Sequence, residues 1–230
     1  MPAPAASSAR NGVFISYSRK DGEAFARDLR DKLQARNITL WQDRTGMEGG
    51  RDWWEQIRQA LDRVEFMVLV MTRAALTSEV VRKEWRYARQ QGVCVYPVIA
   101  APGIDIGALP RWMNSIHWYD LVHQEAKFFN DLATRCQVRR VPFMAGSVPE
   151  DFVPRPAEFQ AIKSQLLTPD LEEPVALTAA LRGAGGYGKT ALARALCHDD
   201  DIQNAFDDGI LWVTLGEKPS AAELIGKIPT

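Results

Sequence analysis

A glycine-rich segment in the second half of the chain has the residue types and spacing that bind phosphate groups. It fits the pattern G-x-x-x-x-G-K-[ST], and its candidate ligands are Gly183, Gly185, Gly186, Gly188, Lys189 and Thr190. Glycines let successive backbone N–H groups converge on phosphate oxygens, and the N-terminus of a following helix adds a partial positive charge. Lys189 would reach the β- and γ-phosphates, while the Thr190 hydroxyl would hold Mg²⁺. The segment therefore predicts a site for ADP or ATP with Mg²⁺.

The elements around this segment suit phosphate binding better than hydrolysis. An apolar strand predicted at 175–181 precedes it, and a helix predicted at 190–196 follows it. A complete NTPase also needs a later apolar strand that ends in Asp and holds the metal. The next predicted strand, Gly209-Ile-Leu-Trp-Val213, carries no acidic residue at its end. We therefore expect Mg²⁺ at Thr190 only if the nucleotide-binding domain is complete, and an autonomous ATPase is the least favoured function.

Short apolar strands alternate with helical stretches through the first part of the chain. Strands are predicted at 13–15, 38–41, 66–71, 93–99 and 115–118, with later helices at 53–63, 78–91 and 124–138. In the first helix, Phe25, Leu29 and Leu33 recur at helical spacing after Asp21, a residue type typical of a helix N-cap. This alternation predicts an α/β domain with a mainly parallel sheet.

Composition excludes several classes of protein. A formal net charge of -1 gives no basic excess for nucleic acid, so no nucleic-acid partner is expected. The longest apolar run, at 66–71, is far shorter than the roughly 20 residues that span a bilayer, and the N-terminus lacks the apolar stretch of a secretory signal. We expect a cytoplasmic protein with no membrane partner. Cys94, Cys136 and Cys197 are expected to be reduced, because their spacing fits neither a disulfide framework nor a zinc site.

Prolines and glycines mark a boundary in the middle of the chain. The interrupting residues are Pro142, Gly146, Pro149, Pro154 and Pro156. Because prolines break helices and central strands, we place a linker at 138–150. It follows a disordered leader at 1–10 and a first domain at 11–137. It precedes a second domain at 151–230, which opens with a helix predicted at 157–167.

Five segments of the first domain follow the order and spacing of a known family. They are Val13-Phe-Ile-Ser-Tyr-Ser-Arg-Lys-Asp21, Trp41-Gln-Asp-Arg44, Gly46-Met-Glu-Gly-Gly-Arg-Asp-Trp53, Leu69-Val-Met-Thr72 and 78–85. Together they resemble a Toll/interleukin-1 receptor (TIR) domain, which implies a flavodoxin-like α/β fold with a five-stranded parallel sheet. A response-regulator receiver has a similar fold but needs clustered acidic residues at its strand ends, and the first strand here ends in Ser16-Tyr17-Ser18-Arg19.

The resemblance implies two activities, homotypic protein association and cleavage of the bond between nicotinamide and ribose in NAD⁺. In catalytic TIR domains an essential glutamate lies on the helix after the third strand, and the matching residue here is Glu84. Cleavage builds positive charge on the ribose, which an ionised carboxylate stabilises. The nicotinamide ring of NAD⁺ is already cationic, so one carboxylate is enough and no separate acid is needed.

Two features of the sequence keep other interpretations of Glu84 open. A helical glutamate is also typical of a solvated helix face, where it would pair with Arg82, Lys83 or Arg86. Catalytic TIR domains often carry Trp four residues before the glutamate, on the same helix face, whereas this chain has Val80. An aromatic wall for the substrate is therefore expected to be missing at that position.

The position-by-position match to TIR domains also implies candidate substrate-binding residues, namely Ser18, Arg19, Glu48, Gly50 and Trp53. Ser18 and Arg19 follow the first strand, at the edge where open α/β sheets bind ligands. Arg19 would pair with the NAD⁺ pyrophosphate or lie on the surface without a ligand. Trp53 matches an aromatic position that contacts nicotinamide or a neighbouring subunit, and burial in helix packing is the alternative for it. Glu48 and Gly50 belong to a loop that reaches between TIR subunits, so the site is expected to be completed on assembly.

Three segments of the second domain also occur in the order of a known family. They are Phe152-Val-Pro-Arg-Pro-Ala-Glu158, Leu181-Arg-Gly-Ala-Gly-Gly-Tyr-Gly-Lys-Thr-Ala-Leu-Ala193 and Asp208-Gly-Ile-Leu-Trp-Val213. They resemble the opening of an NB-ARC domain of the STAND class of P-loop proteins. In that family the first segment packs against adenine, which implicates Val153 and Arg155. The magnesium-binding, sensor and winged-helix portions of the family have no counterpart in 151–230, so the domain is expected to be truncated.

Together these features predict an assembly-activated TIR-domain NAD⁺ hydrolase with a regulatory nucleotide-binding module. NAD⁺ is the expected substrate, and homotypic TIR self-association is the expected activating contact. Defence signalling is the expected role. The alternative is a TIR scaffold for protein association without catalysis, which Val80 favours.

Overall fold

The chain divides into two units, at Met1–Val141 and Pro142–Thr230, and each has a core of its own. The structure is a computed structural model that describes residues 10–41, 53–105, 109–134, 136–168 and 188–214. The leader predicted at 1–10 lies outside these residues except for its last position. The division between the units falls within the linker predicted at 138–150.

A parallel sheet runs through the first unit. Its strands, in the spatial order β2-β1-β3-β4, are β1 (Val13–Ser16), β2 (Leu40–Trp41), β3 (Phe66–Met71) and β4 (Cys94–Ile99). Every residue of β3 is buried. A strand that is apolar on both faces is typical of the centre of a parallel sheet covered by helices on both sides.

Helices cover both faces of this sheet. They are α1 (Glu23–Gln34), α2 (Trp53–Leu61), α3 (Arg73–Thr77), α4 (Glu79–Gln91), α5 (Arg111–Asn114) and α6 (Leu121–Leu132). Met67 and Leu69 of β3 pack with α2, α4 and α5, whereas Val68 between them packs with α1 and α6. This alternation follows from the two-residue period of a strand. The predicted α/β fold with a parallel sheet is confirmed.

The region predicted as a fifth strand has a different structure. Residues 115–118 follow α5 and form no strand, and the next residue, Tyr119, makes a single parallel bridge to Val98. The indole N–H of Trp118 donates to the Met113 carbonyl at 2.7 Å, which ties this segment back to α5. The sheet of the described residues therefore has four strands rather than five.

Two of the cysteines form a disulfide bond, so the expectation that all three are reduced is wrong. Cys94 at the start of β4 is bonded to Cys136 after α6, across a sequence separation of 42. The Cys136 backbone N–H also donates to the Glu65 carboxylate at 2.8 Å. Spacing rules miss this pair because the fold, and not a local motif, brings the two residues together. Cys197 is a free thiol whose pKa is raised by burial.

The described part of the second unit is mainly helical. Its helices are α7 (Pro156–Leu166), α8 (Lys189–Cys197) and α9 (Asp200–Ala205). The buried core residues are Ile162, Leu192 and Leu196. The helices predicted at 157–167 and 190–196 are confirmed within one residue at each end. The strand predicted at 175–181 lies outside the described residues, and the one predicted at 209–213 is reduced to a bridge between Ile210 and Phe143.

Across the described parts of both units, none of the helices combines the length and the apolar character that crossing a bilayer requires.

Candidate active site at the carboxyl edge of the sheet

The sheet reverses its direction of winding between β1 and β3. These strands are hydrogen-bonded neighbours, with Ser16 opposite Leu69 in the register. The chain leaves β1 through α1 on one face and enters β3 from α2 on the other face. Such a reversal leaves a crevice outside the carboxyl ends of the two strands, which is where ligands bind in open α/β sheets. Residues that end or follow β1 and β3 are therefore placed for binding.

Glu84 approaches this crevice from α4. Ser78 caps that helix by accepting a hydrogen bond from the Val81 N–H at 3.4 Å, and Glu84 follows in the second turn. Glu84 is 4% exposed, and the Ser16 hydroxyl donates to its Oε2 atom at 2.5 Å. Glu84 therefore does not lie on the solvated face of the helix, and the contact with Ser16 places its carboxylate at the end of β1.

The loop after β1 is fastened to the chain that follows β3. The Thr72 hydroxyl donates to Asp21 Oδ1 at 2.6 Å, and the Ala74 N–H donates to Asp21 Oδ2 at 3.0 Å. The prediction that Asp21 caps α1 is therefore wrong, because its carboxylate binds the start of α3. Gly22 is the N-cap of α1 instead.

Ser18 and Arg19 lie together in this loop but differ in exposure. Ser18 is buried, and its hydroxyl accepts a hydrogen bond from the Lys20 N–H at 3.3 Å. The Gly22 N–H donates to the Ser18 carbonyl oxygen at 2.8 Å, and a Cβ on Gly22 would lie only 3.0 Å from that oxygen. A larger residue at Gly22 would force the turn open. The turn holds Ser18 inside the fold and leaves Arg19 exposed beside it.

Replacement of Asp21 with Ala is expected to lower the free energy of unfolding by about 1–3 kcal/mol, because it leaves the buried Thr72 hydroxyl without its acceptor. Urea denaturation of the full chain measures the change. Asp28→Ala is the matched control, since Asp28 is an exposed residue of α1 that forms an i,i+4 salt bridge with Lys32, and its loss should change stability by less than about 0.5 kcal/mol. Equal effects of the two substitutions would contradict the role of Asp21.

The two tryptophans at the start of α2 have different environments. Trp54 is partly buried against the core and meets Tyr87 edge-on, with the ring centroids 6.1 Å apart. Trp53 is 38% exposed. Burial in helix packing therefore describes Trp54, whereas Trp53 is accessible to a ligand or a second subunit. Glu48 and Gly50, the candidates that precede this helix in the sequence, lie outside the described residues.

One helical turn before Glu84, α4 carries Val80, which is 37% exposed. The aromatic residues that follow Glu84 have other partners. Trp85 is buried against Trp112, with ring centroids 5.1 Å apart. The Tyr87 hydroxyl donates to Asp62, and burial raises the pKa of Tyr87 to about 12. Neither ring substitutes for an aromatic side chain at Val80.

Ser16 and Thr72 belong to this site, although neither was among the predicted site residues. Both are 1% exposed, Ser16 as the last residue of β1 and Thr72 as the first residue after β3. A buried hydroxyl needs a hydrogen-bond partner. A Ser or Thr that ends a fully apolar strand is therefore a signal in the sequence for a polar contact at the carboxyl edge of the sheet.

The phosphate-binding segment of the second unit is described only from Gly188 onward. Gly188 has a φ of 71° and is the N-cap of α8, which Lys189 and Thr190 open. A Cβ on Gly188 would lie 4.0 Å from Nη2 of Arg155, so the Arg155 guanidinium lies beside the segment. Val153 is 73% exposed. The residues outside the described part are Gly183, Gly185 and Gly186. Within the described residues, no group of three or more His, Cys, Asp or Glu could hold a metal ion.

Solved structures resemble about half of the chain. The TIR domain of the Toll-related receptor TRR-2 from Hydra magnipapillata is 18% identical with a TM-score of 0.47, over 54% of this chain and 99% of that chain. A metazoan TIR-STING receptor from C. gigas is 21% identical with a TM-score of 0.46, over 54% of this chain and 41% of that chain. The TIR domains of the activated Roq1 resistosome are 18% identical with a TM-score of 0.38, over 54% of this chain and 80% of that chain.

Family models match both units. The model of the TIR domain matches residues 13–133, which is more than half of the chain, and the model of the NB-ARC domain matches residues 156–229. No curated protein sequence matches at a significant level. The chain belongs to the TIR-domain family, with a partial NB-ARC domain after its TIR domain.

Proposed function

We propose that the TIR domain hydrolyses the bond between nicotinamide and ribose in NAD⁺, with Glu84 as the catalytic carboxylate. The observation that carries this proposal is the burial of Glu84 beside the end of β1, at the reversal of winding between β1 and β3. A carboxylate taken out of water costs stability. A reaction that develops positive charge on its substrate requires such a carboxylate in the ligand crevice.

The chemistry needs one negative charge at the ribose. As the C–N bond breaks, its electron pair goes to the nicotinamide ring nitrogen, and the ribose becomes oxocarbenium-like. Glu84 stabilises that charge electrostatically, and the low dielectric of a buried site strengthens the interaction. Water then adds to ribose C1′, so the products are nicotinamide, ADP-ribose and one proton.

The other candidate residues would hold the substrate around this carboxylate. Arg19 supplies a guanidinium to the pyrophosphate, and the exposed ring of Trp53 stacks on nicotinamide. Ser18 fixes the loop that carries Arg19. Glu48 and Gly50, outside the described residues, belong to the segment before Trp53 that we expect a second TIR domain to contact, so that assembly completes the site.

Clustering is the experiment that tests this function. Nicotinamide release from NAD⁺ is measured for the full chain in two states, free in solution and immobilised at high density on beads. The Glu84→Ala variant is measured in the same two states. Release by the crowded wild type that is lost in Glu84→Ala supports the proposal. Absence of release in both states would favour the alternative of a TIR scaffold without catalysis, for which the exposed Val80 in place of an aromatic wall is the specific observation.

The second unit would act as a regulatory module that binds ADP or ATP, with Mg²⁺ at Thr190 in a complete domain. Gly188, Lys189 and Thr190 at the start of α8, with Arg155 beside them, support this role. Together with the TIR domain, the module supports a function in defence signalling. A cytoplasmic location stays a prediction, since the Cys94–Cys136 bond is of a kind more common in oxidising compartments.

Replacement of Lys189 with Ala is expected to weaken ADP binding by roughly 10- to 100-fold, because it removes one charge-assisted hydrogen bond to phosphate. Titration calorimetry on the full chain measures the dissociation constant. Lys83→Ala, which removes the same charge from an exposed position of the first unit, should leave ADP binding unchanged. Unaltered binding by Lys189→Ala would exclude Lys189 from the nucleotide site.

A further inference from the structure

The serine that ends β1 is the polar residue of an otherwise apolar strand. Val13, Phe14, Ile15 and Ser16 are all buried, and Ser16 is 1% exposed. Side chains alternate along a strand, so Ser16 shares the face of Phe14, which packs in the core cluster that includes α2 and α4. An apolar side chain would suit that face equally well. The Ser16 hydroxyl instead donates to Glu84 Oε2.

The Ser16 hydroxyl and the Glu84 carboxylate lie among apolar residues, so core packing does not require either group to be polar. The buried neighbours of Glu84 along α4, namely Val81, Trp85 and Ala88, are all apolar and pack in the same cluster as Phe14. Replacing a buried charged or polar pair by apolar residues of similar volume is often neutral or stabilising. Packing alone therefore gives no reason for a carboxylate and a hydroxyl to meet here.

We propose that Ser16 is a positioning residue for Glu84, which holds the carboxylate in the orientation that meets the ribose. This inference rests on the proposed NAD⁺ hydrolysis. A glutamate side chain has three torsions, and the burial of Glu84 restricts them. The Ser16 hydroxyl, which donates to Oε2, restricts the rotation of the carboxylate about its last torsion. A displacement of about 1 Å at a reacting group costs on the order of 100-fold in rate.

The position of Ser16 in the sheet makes it suited to this task. A serine has one side-chain torsion before its hydroxyl oxygen, and the backbone of Ser16 is held in β1 opposite Leu69 of β3. Groups placed on strands are held more accurately than groups placed on loops. Ser18, two residues later, has the same side chain but lies in the loop, where its hydroxyl accepts from Lys20. Ser16 on the strand therefore orients the Glu84 carboxylate, and Ser18 stabilises the loop that follows the strand.

Kinetics of the clustered full chain test the inference. Ser16→Ala is expected to lower kcat for nicotinamide release by about 10- to 100-fold, with KM changed by less than about 3-fold, because the hydroxyl orients Glu84 without touching substrate. Ser16→Cys, which is nearly isosteric and donates a weaker hydrogen bond, should have an intermediate kcat. Ser78→Ala is the matched control, since it removes a hydroxyl from the N-cap of the same helix. It should lower the unfolding temperature while kcat stays within about 3-fold of the wild type.

The outcomes separate this inference from the proposed function. Absence of release by the wild type, or release that survives in Glu84→Ala, would overturn the function and the inference together. A wild type that is active, a Glu84→Ala variant that is inactive and a Ser16→Ala variant with unchanged kcat would overturn the inference alone. So would a loss of kcat in Ser78→Ala equal to that in Ser16→Ala, because both would then act through the stability of α4.

Discussion

Glu84→Gln is expected to lower nicotinamide release by about 10³-fold, the upper end of what one electrostatic group contributes to a transition state. Gln has the shape of Glu, and its amide oxygen still accepts a hydrogen bond from the Ser16 hydroxyl. The substitution therefore removes the negative charge and keeps the packing. The charge is what the oxocarbenium-like ribose requires, so the loss should appear in kcat.

The same substitution is expected to leave the unfolding temperature unchanged or to raise it, because Glu84 is 4% exposed and a buried charge costs stability. Thermal unfolding of the variant is measured beside the nicotinamide assay. Glu79→Gln, which makes the same chemical change at an exposed position of α4, should retain the activity. Loss of activity accompanied by a large fall in the unfolding temperature would indicate a structural role for Glu84 instead.

Cys136→Ser is expected to lower the free energy of unfolding by about 2–4 kcal/mol, the typical contribution of a disulfide bond that closes a loop of several tens of residues. The cause is the greater freedom of the unfolded chain once Cys94 and Cys136, 42 positions apart, are no longer joined. For a domain of this size the unfolding temperature should fall by roughly 10 °C.

Thermal unfolding with and without a reducing agent measures this effect. The wild type should lose stability on reduction, and Cys136→Ser should not respond to the reductant. Cys197→Ser is the control, because Cys197 is a free thiol in the second unit. It should keep the full response. An unfolding temperature of the wild type that does not change on reduction would mean that the bond adds nothing to the fold.

Local patterns predicted the regular elements well. The strand β3 and the helix α4 are found as predicted, because their signals lie in a few neighbouring residues. A continuous apolar run indicates a strand buried on both faces, and Gly92, which has a φ of 71°, ends the helix. The segment at 115–118 has residue types typical of a strand. It forms none because Trp118 is bonded to the end of α5 instead, a tertiary contact that its own sequence does not contain.

The residue types of the candidate site could be predicted from the sequence, whereas their contacts could not. Glu84 follows from the resemblance to TIR domains, but its burial and its bond to Ser16 depend on how α4 packs against β1. Asp21 has the residue type of an N-cap, and the competing donors on Thr72 and Ala74 come from the start of α3, which lies far away in the sequence. Trp53 and Trp54 are identical in type, so only the packing of α2 distinguishes the accessible ring from the buried one.

The bond between Cys94 and Cys136 also determines how the first unit transmits tension. A pull on the chain beyond Cys136 passes through the two sulfur atoms to Cys94, the first residue of β4. The residues between the two cysteines, which include the rest of β4, α5 and α6, are bypassed by this load while the bond is intact. With a sequence separation of 42 and at most about 3.6 Å per residue, reduction followed by unfolding of this segment would release on the order of 150 Å of additional chain length. The disulfide therefore anchors the end of the TIR domain at the start of β4.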